Sequence, residues 1–318
     1  MRLSRNSVID SGNEPSVSPA GAARKLHLHQ KSGHYQGLFR AMGSPCELLV
    51  DTDDETSASK LLEIVAAEAW RIEDKFSRYL PDNIVARIND SDGQPVAVDD
   101  ETANLLDFAE TLYELSERRF DISSGALRKA WTFDGSDRVP TAHDIENAVA
   151  TVGWHKLSWR RPEICLQPGM QIDLGGIGKE YAVDKAAGMV ANEAPCSCLV
   201  NFGGDLVATG ERQSSESWQV GIEAPGSSAV TAQKLIHLKT GALATSGDSR
   251  RYLLKDGKRY SHILDPLTGW PIENAPRSIT VAADTCTQAG MLATLAMLSG
   301  ADAEEFLAHQ NIRFWCLR

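Results

Sequence analysis

The sequence predicts an α+β fold made of one large domain, because two kinds of pattern divide the chain. Helical periods occupy the first half and the C-terminal end, whereas short strand candidates and turns fill residues 156–281. Helices grouped around hairpin-forming strands favour an antiparallel sheet with packed helices over a doubly wound parallel sheet. The chain has 318 residues, of which 42% are hydrophobic and 24% are charged, so it can bury a sizeable core.

The N-terminal 34 residues differ from the rest of the chain. Ser, Asn, Pro, Gly and Ala dominate them, and they show neither a helical nor a strand period. This composition predicts a flexible tail over residues 1–34 and a folded domain over residues 35–318. No run approaches the roughly 18 consecutive apolar residues of a membrane helix. No apolar segment follows Arg2 and Arg5 as it would in a secretory signal. We therefore expect a cytoplasmic protein without stable membrane insertion.

Spacing of apolar residues predicts one early strand and four helices. The strand-like run ends at Val50, and the acidic turn after it leads into the first helix. The third helix has Thr141 or Asp144 as its cap. The fourth helix is apolar on nearly every side and should be buried. The four predicted helices span residues 56–76, 101–116, 141–152 and 287–298.

Short strands are predicted through the middle of the chain, where apolar runs alternate with turn residues. Asp256-Gly257 lies between two such runs and is a strong signal for a β-hairpin. The strand candidates are Leu157–Trp159, Gln171–Leu174, Cys198–Asn201, Trp218–Ile222, Lys234–Leu238, Tyr252–Lys255 and Ser278–Val281.

Charge and cysteine usage exclude some classes of protein. Lys and Arg number 32 and Asp and Glu number 43, which gives a formal net charge of −11. An acidic surface repels phosphate backbones, so we expect no nucleic-acid partner. A nucleotide-like ligand must then be held by local backbone donors. The six cysteines lack the spacing of a zinc ribbon and are expected as free thiols.

A glycine-rich turn is the most informative stretch of the sequence. It reads Asp173-Leu174-Gly175-Gly176-Ile177-Gly178-Lys179-Glu180-Tyr181, with a strand expected to end at Leu174 and a helix to open through Tyr181. Glycines let the backbone approach a ligand, and free N–H groups at the start of a helix favour an anion. The spacing is neither GxGxxG nor that of a P-loop. An anion site and a plain tight turn therefore remain as two interpretations.

Two further segments could carry chemistry. His262 lies in an apolar setting beside Asp265, which is typical either of a tuned base or of a structural histidine. Gly203-Gly204 before Asp205 suits a bulge, a close backbone approach or an ordinary turn. Neither Gly-x-Ser-x-Gly nor HExxH occurs, which argues against the hydrolase and protease classes that those motifs serve.

Eight short blocks, in a fixed order along residues 38–310, carry a resemblance to one family. They are Met42-Gly43-Ser44, Phe76-Ser77-Arg78-Tyr79-Leu80-Pro81-Asp82, Phe120-Asp121-Ile122, Asp173-Leu174-Gly175-Gly176-Ile177-Gly178-Lys179, Asn201-Phe202-Gly203-Gly204-Asp205, Thr245-Ser246-Gly247-Asp248, His262-Ile263-Leu264-Asp265-Pro266-Leu267-Thr268-Gly269 and Ala293-Thr294. In this set and order they resemble the FAD:protein FMN transferases, the ApbE family.

The resemblance implies an enzyme with a single α+β domain. Such an enzyme binds FAD, uses Mg²⁺ at the pyrophosphate and transfers the FMN half to a Thr or Ser hydroxyl of a target flavoprotein, releasing AMP. By motif position, His262 is the expected catalytic residue, which moves the proton of the acceptor hydroxyl. Tyr79 is expected to stack on the isoalloxazine ring. The residues expected at the FAD site are Met42, Tyr79, Arg119, Phe120, Asp121, Asp173, Lys179 and Leu264.

Two positions depart from the family pattern. Where the pattern reads Ala-Asp-Ala-Leu-Ala-Thr, with the Asp as a magnesium ligand, this chain has Gly290 in place of the Asp. The Gly176 carbonyl and the Thr294 hydroxyl remain as expected metal ligands, and Asp284 is a candidate replacement for the carboxylate. Glu180 stands where many members have glycine and adds negative charge near the phosphates. Both departures predict weaker metal-assisted chemistry.

Two alternatives to the transferase follow from these residues. Gly290 motivates a degenerate protein that binds FAD without transferring FMN. Metal-dependent hydrolysis of FAD to FMN and AMP is the other alternative, and Tyr79 counts against it because stacking favours holding the flavin. The identity of the acceptor flavoprotein cannot be deduced from this chain.

Overall fold

An antiparallel sheet forms the centre of the computed structural model, which describes residues 24–214, 216–223, 232–248 and 252–318. Among these residues, eight strands pair antiparallel with each sheet neighbour. In sheet order they are β1 (His27–Lys31), β2 (His34–Ala41), β3 (Ser44–Val50), β7 (Cys198–Phe202), β8 (Asp205–Ala208), β11 (Gly241–Gly247), β14 (Ser278–Ala283) and β15 (Arg313–Leu317).

The other strands in the described part of the chain form three small sheets of two or three strands each. They are β4 (Val96–Ala97), β5 (Ser158–Arg160), β6 (Glu163–Cys165), β9 (Trp218–Glu223), β10 (Ala232–Leu238), β12 (Tyr252–Lys255) and β13 (Lys258–Ser261). The hairpin predicted at Asp256-Gly257 is confirmed. It joins β12 to β13, and both turn residues have positive φ, 50° and 75°, as a type I′ turn requires.

Seven α-helices lie in the described part of the chain. They are α1 (Glu55–Phe76), α2 (Ile84–Asn89), α3 (Asp100–Leu115), α4 (Ala142–Val149), α5 (Gly178–Glu193), α6 (Cys286–Leu298) and α7 (Ala303–His309). A 3₁₀ segment spans Ile122–Lys129, and shorter ones span Trp154–Lys156 and Gly300–Asp302.

The helix predictions are confirmed within a few residues. Asp54 accepts a hydrogen bond from the Thr56 backbone N–H and so caps α1. Thr141 and Asp144 form a reciprocal capping box at α4, so both predicted caps are used. Helix α6 is buried around most of its circumference, as its uniformly apolar sequence predicts.

Both faces of the central sheet are covered. Along β3 and β7 the side chains alternate: Leu48 and Val200 join the cluster with α1, α5 and α6, whereas Leu199 packs with Trp218 of the β9–β10 ribbon. Helix α5 packs on β7 and β8, and α6 on β11 and β14. The order of strands therefore places α5 beside α6 over the middle of the sheet. Because the glycine-rich turn leads directly into α5, this packing also fixes the position of the turn.

Two predictions from the sequence are wrong, one about the end of the tail and one about a strand. Residues 27–34 belong to the predicted tail, yet β1 pairs with β2, so the ordered domain begins before residue 35; residues 1–23 lie outside the described part. Gln171–Leu174 is not a strand. The Asn89 side chain takes the place of a neighbouring strand there, since it accepts from Ile172 N (2.7 Å) and donates to Ile172 O (3.0 Å).

No helix in the described ranges is long and apolar enough to cross a bilayer.

Candidate active site

Asp173 forms the centre of a charged cluster around Tyr79. Its Oδ2 lies 3.4 Å from Arg78 Nη1 and 3.6 Å from Arg128 Nη2, while Oδ1 accepts from Gly175 N at 2.9 Å. The Tyr79 ring is 52% exposed, and both guanidiniums lie over it, at 5.4 and 5.8 Å from its centre. Arg128 also donates to the Tyr79 hydroxyl. An exposed ring flanked by two cations can stack on a planar group and attract an anion.

The 3₁₀ segment Ile122–Lys129 connects this cluster to the interior. The Gly125 carbonyl accepts from Arg78 Nη1 at 3.1 Å, and the Ile122 carbonyl accepts from Asp173 N at 2.8 Å. A cavity of about 260 Å³ borders Tyr79, lined also by residues of α2 and its preceding loop. The segment therefore fixes Asp173 and Tyr79 relative to each other and leaves Tyr79 about half exposed.

Asp121 precedes this segment and is buried. Its Oδ1 accepts from the Ser123 backbone N–H (2.8 Å) and hydroxyl (2.7 Å), and its Oδ2 accepts from Trp154 N (2.9 Å). Burial raises the pKa of this carboxyl, although the hydrogen bonds oppose the shift. Because both oxygens hold backbone groups of this chain, Asp121 joins two loops. Its contact with FAD stays a prediction.

His262 and Leu264 follow β13 and lie beside an aromatic cluster. The His262 ring stands edge-on to Phe133 at 6.3 Å, and Phe133 stacks on Trp131 at 5.5 Å. Leu264 packs against the same buried cluster, which also contains Leu127 of the 3₁₀ segment. One short segment therefore supports the Tyr79 surface on one side and the His262 loop on the other.

Gly269 closes the His262 loop and must be glycine. Its φ is +73°, and a Cβ there would lie 2.6 Å from the Cγ2 atoms of Ile145 and Val149. The Gly269 carbonyl accepts from Trp131 Nε1 at 2.8 Å, which ties the loop to the aromatic cluster. Asp265 shapes the loop as well, since its Oδ1 accepts from Leu267 N at 2.8 Å.

Lys179 forms an ion pair with Asp205, the residue that follows the Gly203-Gly204 turn. Its Nζ lies 2.6 Å from Asp205 Oδ2, and Asp205 Oδ1 accepts from Thr245 N at 2.9 Å. Burial alone would lower the pKa of Lys179, but the Asp205 and Glu180 carboxylates outweigh burial and raise it. Lys179 is thus a fixed cation at the start of α5. In the sequence, the feature that indicates a role for Asp205 is its position directly after Gly203-Gly204.

The two departures from the family pattern are in contact. A Cβ at Gly290 would lie 2.5 Å from Glu180 Cγ and 2.9 Å from its Oε1, so Glu180 fills the space of a side chain at position 290. Glu180 Oε2 is buried and has no hydrogen-bond partner among the described residues. Burial, together with the nearby Asp205 carboxylate, raises the pKa of the Glu180 carboxyl above its usual range.

Asp184 fixes how α5 and α6 meet. Its Oδ1 accepts from Cys286 N (2.7 Å), and its Oδ2 accepts from the Thr287 backbone N–H (2.8 Å) and hydroxyl (2.6 Å). The helices therefore run antiparallel at this contact, with Glu180 opposite Gly290 one turn further on. Thr294 follows Gly290 at i+4 on α6, which is the same face of the helix.

Asp284 does not take the place of the missing carboxylate. It is exposed and precedes the first residue of α6. With a rise of about 1.5 Å per residue, Thr294 lies about 12 Å along the helix from its start. The described part of the chain contains no cluster of three or more His, Cys, Asp or Glu side chains arranged to hold a metal ion. A magnesium ion here would need phosphate oxygens as additional ligands.

The remaining predicted site residues occupy separate positions around these elements. Met42 lies in the β2–β3 turn with φ +51°, and its N–H donates to Glu73 Oε1 at 2.7 Å. Phe120 is buried, and its ring lies 3.3 Å from where a Cβ on Gly176 would stand. Arg119 Nη1 donates to the Leu298 carbonyl at the end of α6, at 3.4 Å. Their roles toward FAD stay predictions.

Mixed helices on a large antiparallel sheet, with a glycine-rich turn opening α5, define the class of fold. The family model of the ApbE family matches residues 42–315, and the chain belongs to that family. The resemblance found in the sequence is therefore confirmed.

Curated relatives and solved structures agree with this membership. The FAD:protein FMN transferase of Vibrio cholerae is 31% identical over 262 residues, covering 81% of this chain and 76% of the relative. The Thermotoga maritima ApbE protein superposes with a TM-score of 0.80 at 31% identity, covering 89% of this chain and 94% of that one. The Pseudomonas stutzeri flavinyl transferase ApbE, apo form, gives 0.77 at 29% identity, covering 93% and 92%.

Proposed function

We propose that this protein is an FAD:protein FMN transferase, which moves FMN from FAD to a Thr or Ser hydroxyl of a flavoprotein. The observation that carries the proposal is the family match over residues 42–315, whose curated relatives bear that name. The α+β fold and the cluster around Tyr79 support it. The acceptor protein, and a cytoplasmic location, stay predictions from the sequence.

In the proposed reaction, the acceptor hydroxyl oxygen bonds to the phosphorus of the FMN half. The bond from that phosphorus to the bridging oxygen breaks, and AMP leaves with that oxygen. His262 takes the hydroxyl proton on a ring nitrogen, because a hydroxyl is a poor nucleophile until a base removes its proton. Tyr79 stacks on the flavin, and Lys179, held by Asp205, places a positive charge beside the phosphates.

Magnesium fits the residues present. Proteins hold Mg²⁺ through one or two carboxylates together with phosphate oxygens and water. Glu180 Oε2 is buried, has no hydrogen-bond partner within the described ranges and is an oxygen ligand of the required kind. The Thr294 hydroxyl and the Gly176 carbonyl are the ligands predicted from the sequence. When bound, Mg²⁺ neutralises charge that develops on the phosphates.

The test is an incubation of the purified protein with FAD and a Thr-containing acceptor peptide, in Mg²⁺ or in EDTA. Mass spectrometry measures flavin on the peptide, and chromatography measures FMN and AMP. We expect Mg²⁺-dependent labelling with AMP equal to labelled peptide. His262→Ala should lose labelling, whereas His143→Ala, an exposed histidine on α4, should keep it.

The two alternatives give different products in the same experiment. FAD that stays bound and intact would replace the transferase with an FAD-binding protein. Free FMN and AMP without labelled peptide would replace it with an FAD hydrolase. The FAD-binding alternative depends on the missing carboxylate at Gly290 alone. The Glu180 carboxylate beside Gly290 weakens the case for that alternative.

A further inference from the structure

Glu180 and Gly290 are 110 positions apart in the sequence and touch in the structure. We propose that Glu180, on α5, supplies the magnesium-binding carboxylate that position 290 lacks. This inference rests on the proposed function, because the metal is the one that FMN transfer would use. Under this proposal the two departures from the family pattern are a single exchange. The carboxylate is on α5 at position 180 and not on α6 at position 290, so the site still contains one.

Steric exclusion is the first argument. The Cβ of any residue at position 290 would stand 2.5 Å from Glu180 Cγ, which is closer than non-bonded carbon atoms approach. Gly290 lies inside a helix, so its backbone would accept an alanine or aspartate. The glycine is therefore required by the Glu180 side chain and not by its own conformation. Either helix can place a side chain in this space, but both cannot do so together.

Register is the second argument. Asp184 holds the N-terminus of α6 with both carboxylate oxygens, so α5 and α6 cannot slide past each other without losing these bonds. The Glu180 carboxylate is thereby fixed against the Gly290–Thr294 face of α6. A hydroxyl that serves as a metal ligand would lie on the same face, one helical turn from the carboxylate.

Availability is the third argument. Of the carboxylates of Asp184, Asp205 and Glu180, the first two are already engaged. Asp184 binds the α6 backbone, and Asp205 binds Lys179 and Thr245 N. Glu180 Oε2 is buried without a hydrogen-bond donor in the described part of the chain. A buried carboxylate oxygen without a donor is costly, and a bound cation would remove that cost.

The experiment measures metal binding apart from transfer. Mn²⁺ is titrated into the full chain with ADP, which carries the adenosine and pyrophosphate of FAD but no flavin, and free Mn²⁺ is followed by electron paramagnetic resonance. We expect Glu180→Gln to weaken Mn²⁺ binding by about tenfold or more, because the carboxylate is the only charged protein ligand expected. Glu193→Gln, the same change at the other end of α5, should bind as the wild type does.

The exchanged pair gives a second measurement that holds even if Glu180→Gln folds poorly. Glu180→Gly should lose Mn²⁺ affinity, and Gly290→Asp alone should lower the melting temperature, because two side chains then compete for one space. The double variant Glu180→Gly/Gly290→Asp should regain affinity to within about threefold of the wild type. The proposal is overturned if Glu180→Gln binds Mn²⁺ like the wild type, or if the folded double variant regains nothing.

Failure of the metal site and failure of the proposed function are distinguishable. If the wild type labels the peptide and Glu180→Gln keeps its Mn²⁺ affinity, the transferase stands and Glu180 is not the ligand. If Mn²⁺ binding with ADP depends on Glu180 and no peptide is labelled, the metal site stands and the transferase assignment is wrong.

Discussion

The α5–α6 contact and the Tyr79 surface are both charged, but they use charge differently. In the α5–α6 contact, the carboxylates of Asp184 and Glu180 lie against a buried helix, and two backbone N–H groups depend on Asp184. At the Tyr79 surface, Arg78 and Arg128 surround an exposed ring. Substitutions in the first region should therefore act on folding and metal affinity, whereas substitutions in the second should act on ligand affinity.

The same difference explains which positions can vary independently. At an exposed ring, one side chain changes without displacing another. In a buried contact, a new atom at Gly290 needs the space of Glu180, so the two positions must change together. Departures from a family pattern in a buried contact therefore have to be considered as pairs.

Asp184→Ala is the substitution with the largest expected effect on stability. It leaves two N–H groups at the start of α6 and the Thr287 hydroxyl without their partner. We expect the free energy of unfolding to fall by about 2–4 kcal/mol, measured by urea denaturation.

Thr285→Ala is the matched control for this prediction. Thr285 caps the same helix with one hydrogen bond, to Gln288 N at 3.2 Å, so its loss should cost about 1 kcal/mol. Equal losses for the two variants would mean that Asp184 is an ordinary cap and that packing alone sets the helix register.

Another carboxylate, on α3, forms a hydrogen bond with α5 and gives a pH-dependent test. Glu101 on α3 accepts from Arg71 and Lys75 of α1 and from Tyr181 of α5. The bond from Arg71 contributes most to lowering the pKa of Glu101 from 4.5 to about 2. A lowered pKa means that Glu101 stabilises the fold above pH 4.5, and that this contribution is lost as the pH falls toward 2.

Glu101→Gln should therefore destabilise the protein at pH 7. We expect a loss on the order of 2 kcal/mol and no more, because solvent screens the partly exposed ion pairs of Glu101 with Arg71 and Lys75. The difference from the wild type should shrink below pH 4.5 and vanish near pH 2. Urea denaturation at several pH values measures it. A difference that is constant with pH would show that the amide loses packing and not charge.

Local patterns in the sequence predicted much of the fold. Helical spacing identified α1, α3 and α6, and Asp256-Gly257 identified the β12–β13 hairpin, because each depends on neighbouring residues. The strand β1 was missed, since its mostly exposed residues carry no apolar alternation. Gln171–Leu174 does alternate in burial, but the partner of its backbone is a distant side chain, Asn89, which no local pattern indicates.

In the candidate site, too, the features that depend on local sequence were predicted, and the contact between distant residues was not. Family blocks located Asp173, Tyr79 and His262, and the structure connects the elements that carry them through the 3₁₀ segment. The sequence also marked Glu180 and Gly290 as departures, but as two separate losses. Their contact was not predictable, because it depends on the packing of two helices whose register Asp184 sets from a third position.

The smallest expected effect on stability is at Tyr79, and there the ligand should respond. Because the side chain is 52% exposed, Tyr79→Ala should change the free energy of unfolding by less than about 0.5 kcal/mol. Loss of ring stacking should weaken FAD binding by about 3- to 10-fold, measured by quenching of flavin fluorescence. Tyr79→Phe keeps the ring and loses only the hydroxyl that Arg128 binds, so it should retain most of the affinity. If Tyr79→Phe binds FAD as weakly as Tyr79→Ala, then Tyr79 acts by positioning Arg128, and the exposed surface depends on a fixed contact as the buried one does.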